Sequence, residues 1–410
     1  MIHMSNQATK RNVGKYAVIV IVIVAVIAAG FGYQAMTNTN PTQSMYTQSM
    51  SPSMTETTAM ATSAASTQPQ EAVTILGAGA SFPAPLIQRW TVEYHNLNSP
   101  VTINYNPIGS GGGIQQITAK TVDFGASDAP LSDSQLRNAT GLVLLPETLG
   151  GVAITYNLGS FGLSNSTVIK FTGDVLAGIY TGKIQKWNDP ALVALNPDLK
   201  LPNQPITAVH RSDGSGTTYA FTDFLYTVNP DWKVSVGRST SVTWPVDKLA
   251  SGVGAKGNAG VAGSVFNTPG AIGYVDVIYA VGQHLGIGAV KNAAGNFISP
   301  SLDTIRNAAT AATGNPDPSD LRMHIVNAQG DQSYPIATYT YILIYKDMSV
   351  NPGTSLAKAK ALAQFLWWAV HDGQKFAPDL IYVPLPQNIV SADESLLNSL
   401  TYQGQTLLAH

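Results

Sequence analysis

The run Arg211-Ser212-Asp213-Gly214-Ser215-Gly216-Thr217 places a fixed cation, a carboxylate and two hydroxyls on a glycine-rich turn. The apolar spacing of Tyr219, Ala220, Phe221, Phe224 and Leu225 starts a helix directly after it. A helix start presents unpaired backbone N–H groups and the positive end of the peptide dipoles, so it suits an anion. Gly214 and Gly216 let backbone approach a ligand closely, and Ser215 and Thr217 add hydroxyl donors. Arg211 can fork onto an oxyanion, and Asp213, two residues on, is placed to hold the guanidinium. The chemistry on offer is anion capture.

Two more turns of similar build lie upstream. Gly77-Ala78-Gly79-Ala80-Ser81-Phe82-Pro83 follows the strand-like Val73–Leu76 and precedes an amphipathic segment through Ile87, Trp90 and Tyr94, with Ser81 read as the helix N-cap. Ile108-Gly109-Ser110-Gly111-Gly112-Gly113 separates the strand-like Val101–Tyr105 from a helix through Ile114 and Ile117. A fourth segment, Val122 to Pro130, reads as a short strand ending on the carboxylate of Asp128. Strand–turn–helix units with Ser and Gly in their turns are what an α/β sheet needs to bind a ligand beyond its strand ends.

The sequence resembles the PstS family, the phosphate-binding subunits of the high-affinity phosphate ABC importer. The resemblance rests on GAGASFPAP (77–85), IGSGGG (108–113), DFGASDAPL (123–131), IYTGKIQKWNDPALVALNP (179–197), HRSDGSGT (210–217) and PGAIGYVD (269–276). It implies an α/β, two-lobed periplasmic-binding-protein fold of type II-like topology, a mixed sheet flanked by helices in each lobe and phosphate in the cleft between them. By resemblance the ligand is held by Ser81, the N–H of Phe82, Ser110, Asp128, Arg211, Ser215, Gly216 and Thr217, while Asp213 orients the arginine without touching the ligand. The implied partners are inorganic phosphate and the permease subunits of an ABC importer, and the implied protein is a monomer, not an enzyme.

One acid among many donors has a chemical logic. An ionised carboxylate only accepts hydrogen bonds, phosphate near neutral pH still carries a proton to donate, and sulfate does not. A fully ionised anion would leave Asp128 buried and unsatisfied, so the acid discriminates by rejection. A binder of another tetrahedral oxyanion, and a surface adhesin on the same fold, are the alternative readings.

Composition narrows the setting. The net charge of −2 argues against nucleic acid. Charged residues are 11% of the chain, against about 25% for ordinary soluble domains. With no cysteine, disulfides, thiolate chemistry, Cys-based zinc and a lipobox are excluded. The histidines are scattered, no nucleophile-elbow or Walker pattern is complete, and neither a cofactor nor a metal site is expected.

Lys10, Arg11 and Lys15 precede the uncharged run 16–33, which reads as a transmembrane anchor or a signal h-region, with 1–15 cytosolic and the rest extracytoplasmic. Residues 34–72, rich in Ser, Thr, Met and Gln, read as a flexible spacer. The expected division beyond it is 73–153 for the first part of lobe 1, 154–335 for lobe 2 and 336–410 for the return to lobe 1. Asn138 and Asn165 begin sequons. Ile336 to Tyr345 carries the longest strand signal, and Ser355 to Val370 reads as an amphipathic helix with Leu356, Leu362, Phe365, Leu366 and Trp367 on its apolar side.

Overall fold

The computed structural model describes residues 71–408 except 313 and 315; the expected anchor at 16–33 and nearly all of the spacer lie outside the described residues. Eight strands form one hydrogen-bonded path: β1 (Val73–Gly79), β2 (Val101–Asn106), β3 (Phe124–Ser127), β4 (Leu142–Tyr156), β5 (Thr207–Arg211), β6 (Gly252–Ala255), β7 (Ala271–Asp276) and β8 (Ala337–Tyr345). Their spatial order is β2-β1-β3-β8-β4-β7-β5-β6, with the two-residue strand Gly286–Ile287 added beside β4. Neighbours are parallel at both ends of the path and antiparallel around β8 and β4.

This path serves two lobes, and β4 belongs to both. From Leu142 to Gly151 it pairs with β8, and from Val152 to Tyr156 with β7. All but one of its residues are buried, as a strand covered on both faces requires. Its two apolar stretches, 142–145 and 152–156, are thus parts of a single strand. Between them the register slips: Thr340 faces Thr148 while Tyr341 faces Pro146, so Glu147 is the extra residue of a β-bulge. Pro146 has no N–H to give a ladder, and a bulge is where an inner strand tolerates that.

The helices that matter for the site begin where the strands end. They are α1 (Ala84–Leu97), α2 (Ser110–Thr118), α3 (Gly216–Val228) and α4 (Gly257–Asn267). In α3, Ser215 is the N-cap and accepts from Thr218 N–H at 3.0 Å. Ala220, Phe221, Phe224 and Leu225 bury the inner face of α3, and the Phe221 ring stacks on Tyr274 with centroids 4.4 Å apart. Near the C-terminus, α5 (Leu356–Val370) starts from the Ser355 cap. On it Trp368, rather than Trp367, is the fully packed indole, meeting Tyr94 and Phe365; Leu356 and Trp367 are half-buried.

The reading of Ser81 as an N-cap is corrected by the structure. Helix α1 starts at Ala84 with Pro83 as its N-cap and no side-chain cap, and the Ser81 hydroxyl is engaged elsewhere. Trp187 and Trp244 are core residues, and His210 stacks on Trp244 with Nε2 2.8 Å from Asp247 Oδ1.

Candidate functional site

Three strand–turn–helix junctions and one strand end bring their polar side chains together in the interior. Ser110 is the first residue of α2, and Gly109 before it has φ +93°. Only glycine fits at 109: a Cβ there would lie 2.3 Å from Asp213 Oδ2, and the left-handed backbone is strained for other residues. Ser110 Oγ accepts from Gly216 N–H at 2.9 Å and from Asp128 N–H at 3.3 Å, so its own hydrogen remains to be given away. Gly111 N–H donates to Gly214 O at 2.9 Å, joining the same two turns. At the start of α3, a Cβ on Gly216 would fall 2.5 Å from Asp128 Cβ. The missing side chain lets a helix N-terminus press against the carboxylate.

Arg211, at the end of β5, is 1% exposed in its side chain. Its Nε donates to Asp213 Oδ1 at 2.7 Å and Nη2 to Asp213 Oδ2, a bidentate clamp, while Nη1 reaches Thr217 Oγ1 at 3.4 Å. Asp213 Oδ1 also accepts from Gly257 N–H at 3.0 Å. Burial pushes the Asp213 carboxyl up, and the hydrogen bonds and charge of Arg211 more than offset this, holding it below the usual carboxylate range. Asp213 touches the guanidinium as the sequence analysis expected.

Asp128 follows β3 and is 1% exposed. Thr340 Oγ1 lies 3.1 Å from its Oδ1 and Thr217 Oγ1 3.4 Å from its Oδ2. Burial pushes this carboxyl up to about 7, and Thr340, the charge of Arg211 and Thr217 hold it from going further.

The Ala80–Phe82 turn is held differently. Tyr105, Tyr279 and Tyr382 donate from their hydroxyls to the carbonyls of Ala80, Ser81 and Phe82, each at 2.6 Å. In a trans peptide the C=O and the following N–H point opposite ways, so anchoring the first two carbonyls aims the N–H groups of Ser81 and Phe82 away from the tyrosines. Ser81 Oγ accepts from Asn258 N–H and from Asn258 Nδ2, both at 3.1 Å. Asn258 Nδ2 also reaches Thr217 Oγ1 at 3.1 Å, and its Oδ1 accepts from Asp276 N–H at 2.9 Å. One buried amide thus ties the first turn to the third.

Ser110, Asp128, Arg211, Gly216 and Thr217 are linked in one hydrogen-bonded cluster, and Ser81 joins it through Asn258. Phe82 contributes backbone only, its ring packing beside Gly150 and Tyr382. Ser215 is engaged as the α3 cap, and among the described residues no hydrogen bond joins its hydroxyl to the cluster. Among the described residues no group of three or more His, Asp or Glu could hold a metal ion.

Sequence reasoning missed Asn258, Thr340, Glu147 and the three tyrosines. Two signals were present. Thr338 and Thr340 alternate with Tyr339 and Tyr341 in β8, marking a polar side on an otherwise apolar strand, and Glu147 is the one charge within the run 142–156. For Asn258 the only hint is an amide at a helix start.

Known proteins resemble this chain over most of its length. The PBP superfamily domain matches residues 55–372. The phosphate-binding protein PstS of Xylella fastidiosa (strain 9a5c) is 43% identical over 330 residues, covering 80% of this chain and 86% of that protein. The phosphate-binding protein PstS of Haemophilus influenzae is 43% identical over 325 residues, covering 79% and 92% respectively. Among solved structures, the high-affinity periplasmic phosphate-binding protein PfluDING, with phosphate bound, superposes with a TM-score of 0.62 at 20% identity, covering 79% of this chain and 93% of that one.

Proposed function

The chain belongs to the PstS family of phosphate-binding proteins within the PBP superfamily, and on that premise we propose that it captures inorganic phosphate between its lobes and hands it to the membrane subunits of an ABC importer. The family is one of binding proteins, not enzymes.

The observation that carries the proposal is the buried acid Asp128, set among donors from both lobes. Ser81, Ser110 and Thr217 supply hydroxyls, Ser81 and Phe82 supply N–H groups, and Gly216 and Ser215 supply the α3 N-terminus. Arg211 keeps one Nη1 and one Nη2 hydrogen for the ligand, because Asp213 takes Nε and the other Nη2 hydrogen and Thr217 faces the other Nη1 hydrogen. The donors neutralise the anion, and Asp128 accepts the proton that phosphate still bears. Sulfate, with no proton, meets the acid as a like charge, at a cost of about 1–3 kcal/mol or more for an unsatisfied buried acceptor.

The lobes of this proposal are residues 73–153 with 336–410, and 154–335. Because the ligand touches both, it binds the closed arrangement better than the open one and draws the lobes together. The protein works outside the cytosol as a monomer, with residues 16–33 as its tether and 34–72 as the spacer.

Calorimetric titration of the protein with phosphate, arsenate and sulfate is the test. Strong heat with phosphate and none with sulfate is expected. Comparable heats from both would make it a general oxyanion binder, and silence from all three would remove the transport role.

A further inference from the structure

Thr340 Oγ1 lies 3.1 Å from Asp128 Oδ1 and 3.1 Å from Glu147 Oε1. A hydroxyl carries one hydrogen, so it can donate to only one of these carboxyls. The other contact is a hydrogen bond only when that carboxyl keeps its proton and donates back. Which acid keeps it follows from unequal surroundings.

Asp128 has the Arg211 charge acting on it and a second hydroxyl, from Thr217, at its other oxygen. Glu147 Oε2 is buried with no hydrogen-bond partner, and its charged neighbour is Asp128, which opposes ionisation. Gln374 donates to the backbone carbonyl of Glu147, not to its carboxyl. The remaining groups facing the pair are the hydroxyls of Tyr105, Tyr279 and Tyr382, and Asp276 at the end of β7; burial pushes all four up, so none is a source of positive charge. Both acids are 1% exposed. Burial pushes Glu147 up to about 8, above Asp128. The bulge in β4 explains how an acid comes to be here, since the extra residue turns its side chain onto the Thr340 side.

Resting on the phosphate reading above, we propose that Glu147 is a positioning residue that stays a neutral carboxylic acid, donates to Thr340 Oγ1, and thereby commits the Thr340 hydrogen to Asp128. Asp128 is then held as an ionised acceptor, with a lone pair of Oδ2, beside the one facing Thr217, left for a proton-bearing ligand oxygen. Run the other way, with Glu147 ionised and Asp128 protonated on Oδ1 and donating to Thr340, the chain would leave Oδ2 a neutral, weaker acceptor and remove the like charge that rejects a fully ionised tetrahedral anion. The direction of a three-member hydrogen-bond chain selects the protonation state of the ligand, through a residue that does not touch it.

Two measurements on the full chain test this. Infrared difference spectra of the wild type against Glu147→Gln at mildly acidic pH are expected to contain the C=O stretch of a neutral carboxylic acid, lost in the variant and fading in the wild type as pH rises through about 8. No such band overturns the proposal, whether or not any anion binds. If the variant fails to fold, the wild-type band is read with glutamate labelled by carbon-13 at its carboxyl, which separates Glu147 from the buried aspartates, and its loss on titration decides.

The second is calorimetry with inorganic phosphate and sulfate across the same pH range. Gln donates to Thr340 as the neutral acid does, so near neutral pH Glu147→Gln keeps phosphate affinity and the preference over sulfate within about twofold. The affinity of the variant relative to wild type then rises several-fold once wild-type Glu147 ionises. Tighter binding by the variant already near neutral pH, or superimposable profiles throughout, overturns the proposal. A protein that binds no phosphate at all defeats the transport reading instead, and the infrared band still decides the state of Glu147.

Discussion

Asp213 and Asp128 both feel the charge of Arg211, yet one is held below the usual carboxylate range and the other is raised to about 7. Asp213 takes two guanidinium hydrogen bonds and a backbone N–H, and keeps 13% of its side chain exposed. Asp128 has two hydroxyls and almost no exposure. The difference teaches that nearness to a cation does not by itself fix the charge of a buried acid. The number and type of hydrogens given to its oxygens, set against desolvation, decide it. One acid serves as a permanent counter-charge that locks a side chain. The other is kept sensitive to what is placed against it.

Substitutions separate these roles. Arg211→Ala should have the largest effect, because it strands the Asp213 charge and removes the cation facing the ligand. A loss of roughly 3–5 kcal/mol in phosphate binding is expected by calorimetry. Near-normal affinity would show that the clamp and the acid are independent of the ligand. Asp128→Asn comes next. Its amide can donate as well as accept, so the preference for phosphate over sulfate should shrink by about 1–3 kcal/mol, chiefly through better sulfate binding in a competition titration. An unchanged preference would move the discrimination away from this acid. The smallest change is Thr217→Val, which removes the hydroxyl shared by Arg211, Asp128 and Asn258. About 0.5–1.5 kcal/mol of phosphate affinity should go, with the sulfate ratio little altered. A loss as large as that of Arg211→Ala would mean that the two regions act as one unit.

How much of this was legible depends on the reach of each interaction. The strand–turn–helix units at 77–85, 108–113 and 211–217 could be read because glycine, serine and the apolar spacing after them act within a few residues. The cap at Ser215 is local in the same sense, yet its hydroxyl was read only as a donor to an anion. Ser81 looked like a cap by the same local rule, but its oxygen is taken by Asn258, 177 residues away, and a tertiary partner outcompetes a local one. Thr340 and Glu147 are 193 residues apart, and their meeting depends on a bulge that no periodicity announces. Likewise α5 was legible as an amphipathic helix, while the choice of Trp368 over Trp367 for the interior depends on the contacts of Tyr94 and Phe365.

The placement of β8 also bears on biosynthesis. It lies between β3 and β4, yet it is made after β5, β6 and β7. A chain leaving the ribosome carries β3 and the first half of β4 with their inner edges unpaired until β5, β6 and β7 have been translated. Contacts of such long sequence separation close slowly. Exposed strand edges in the meantime are where a nascent protein is open to wrong partners. Completion of the first lobe is thus a late event in synthesis, and a chain truncated before β8 would lack the strand that joins its two halves.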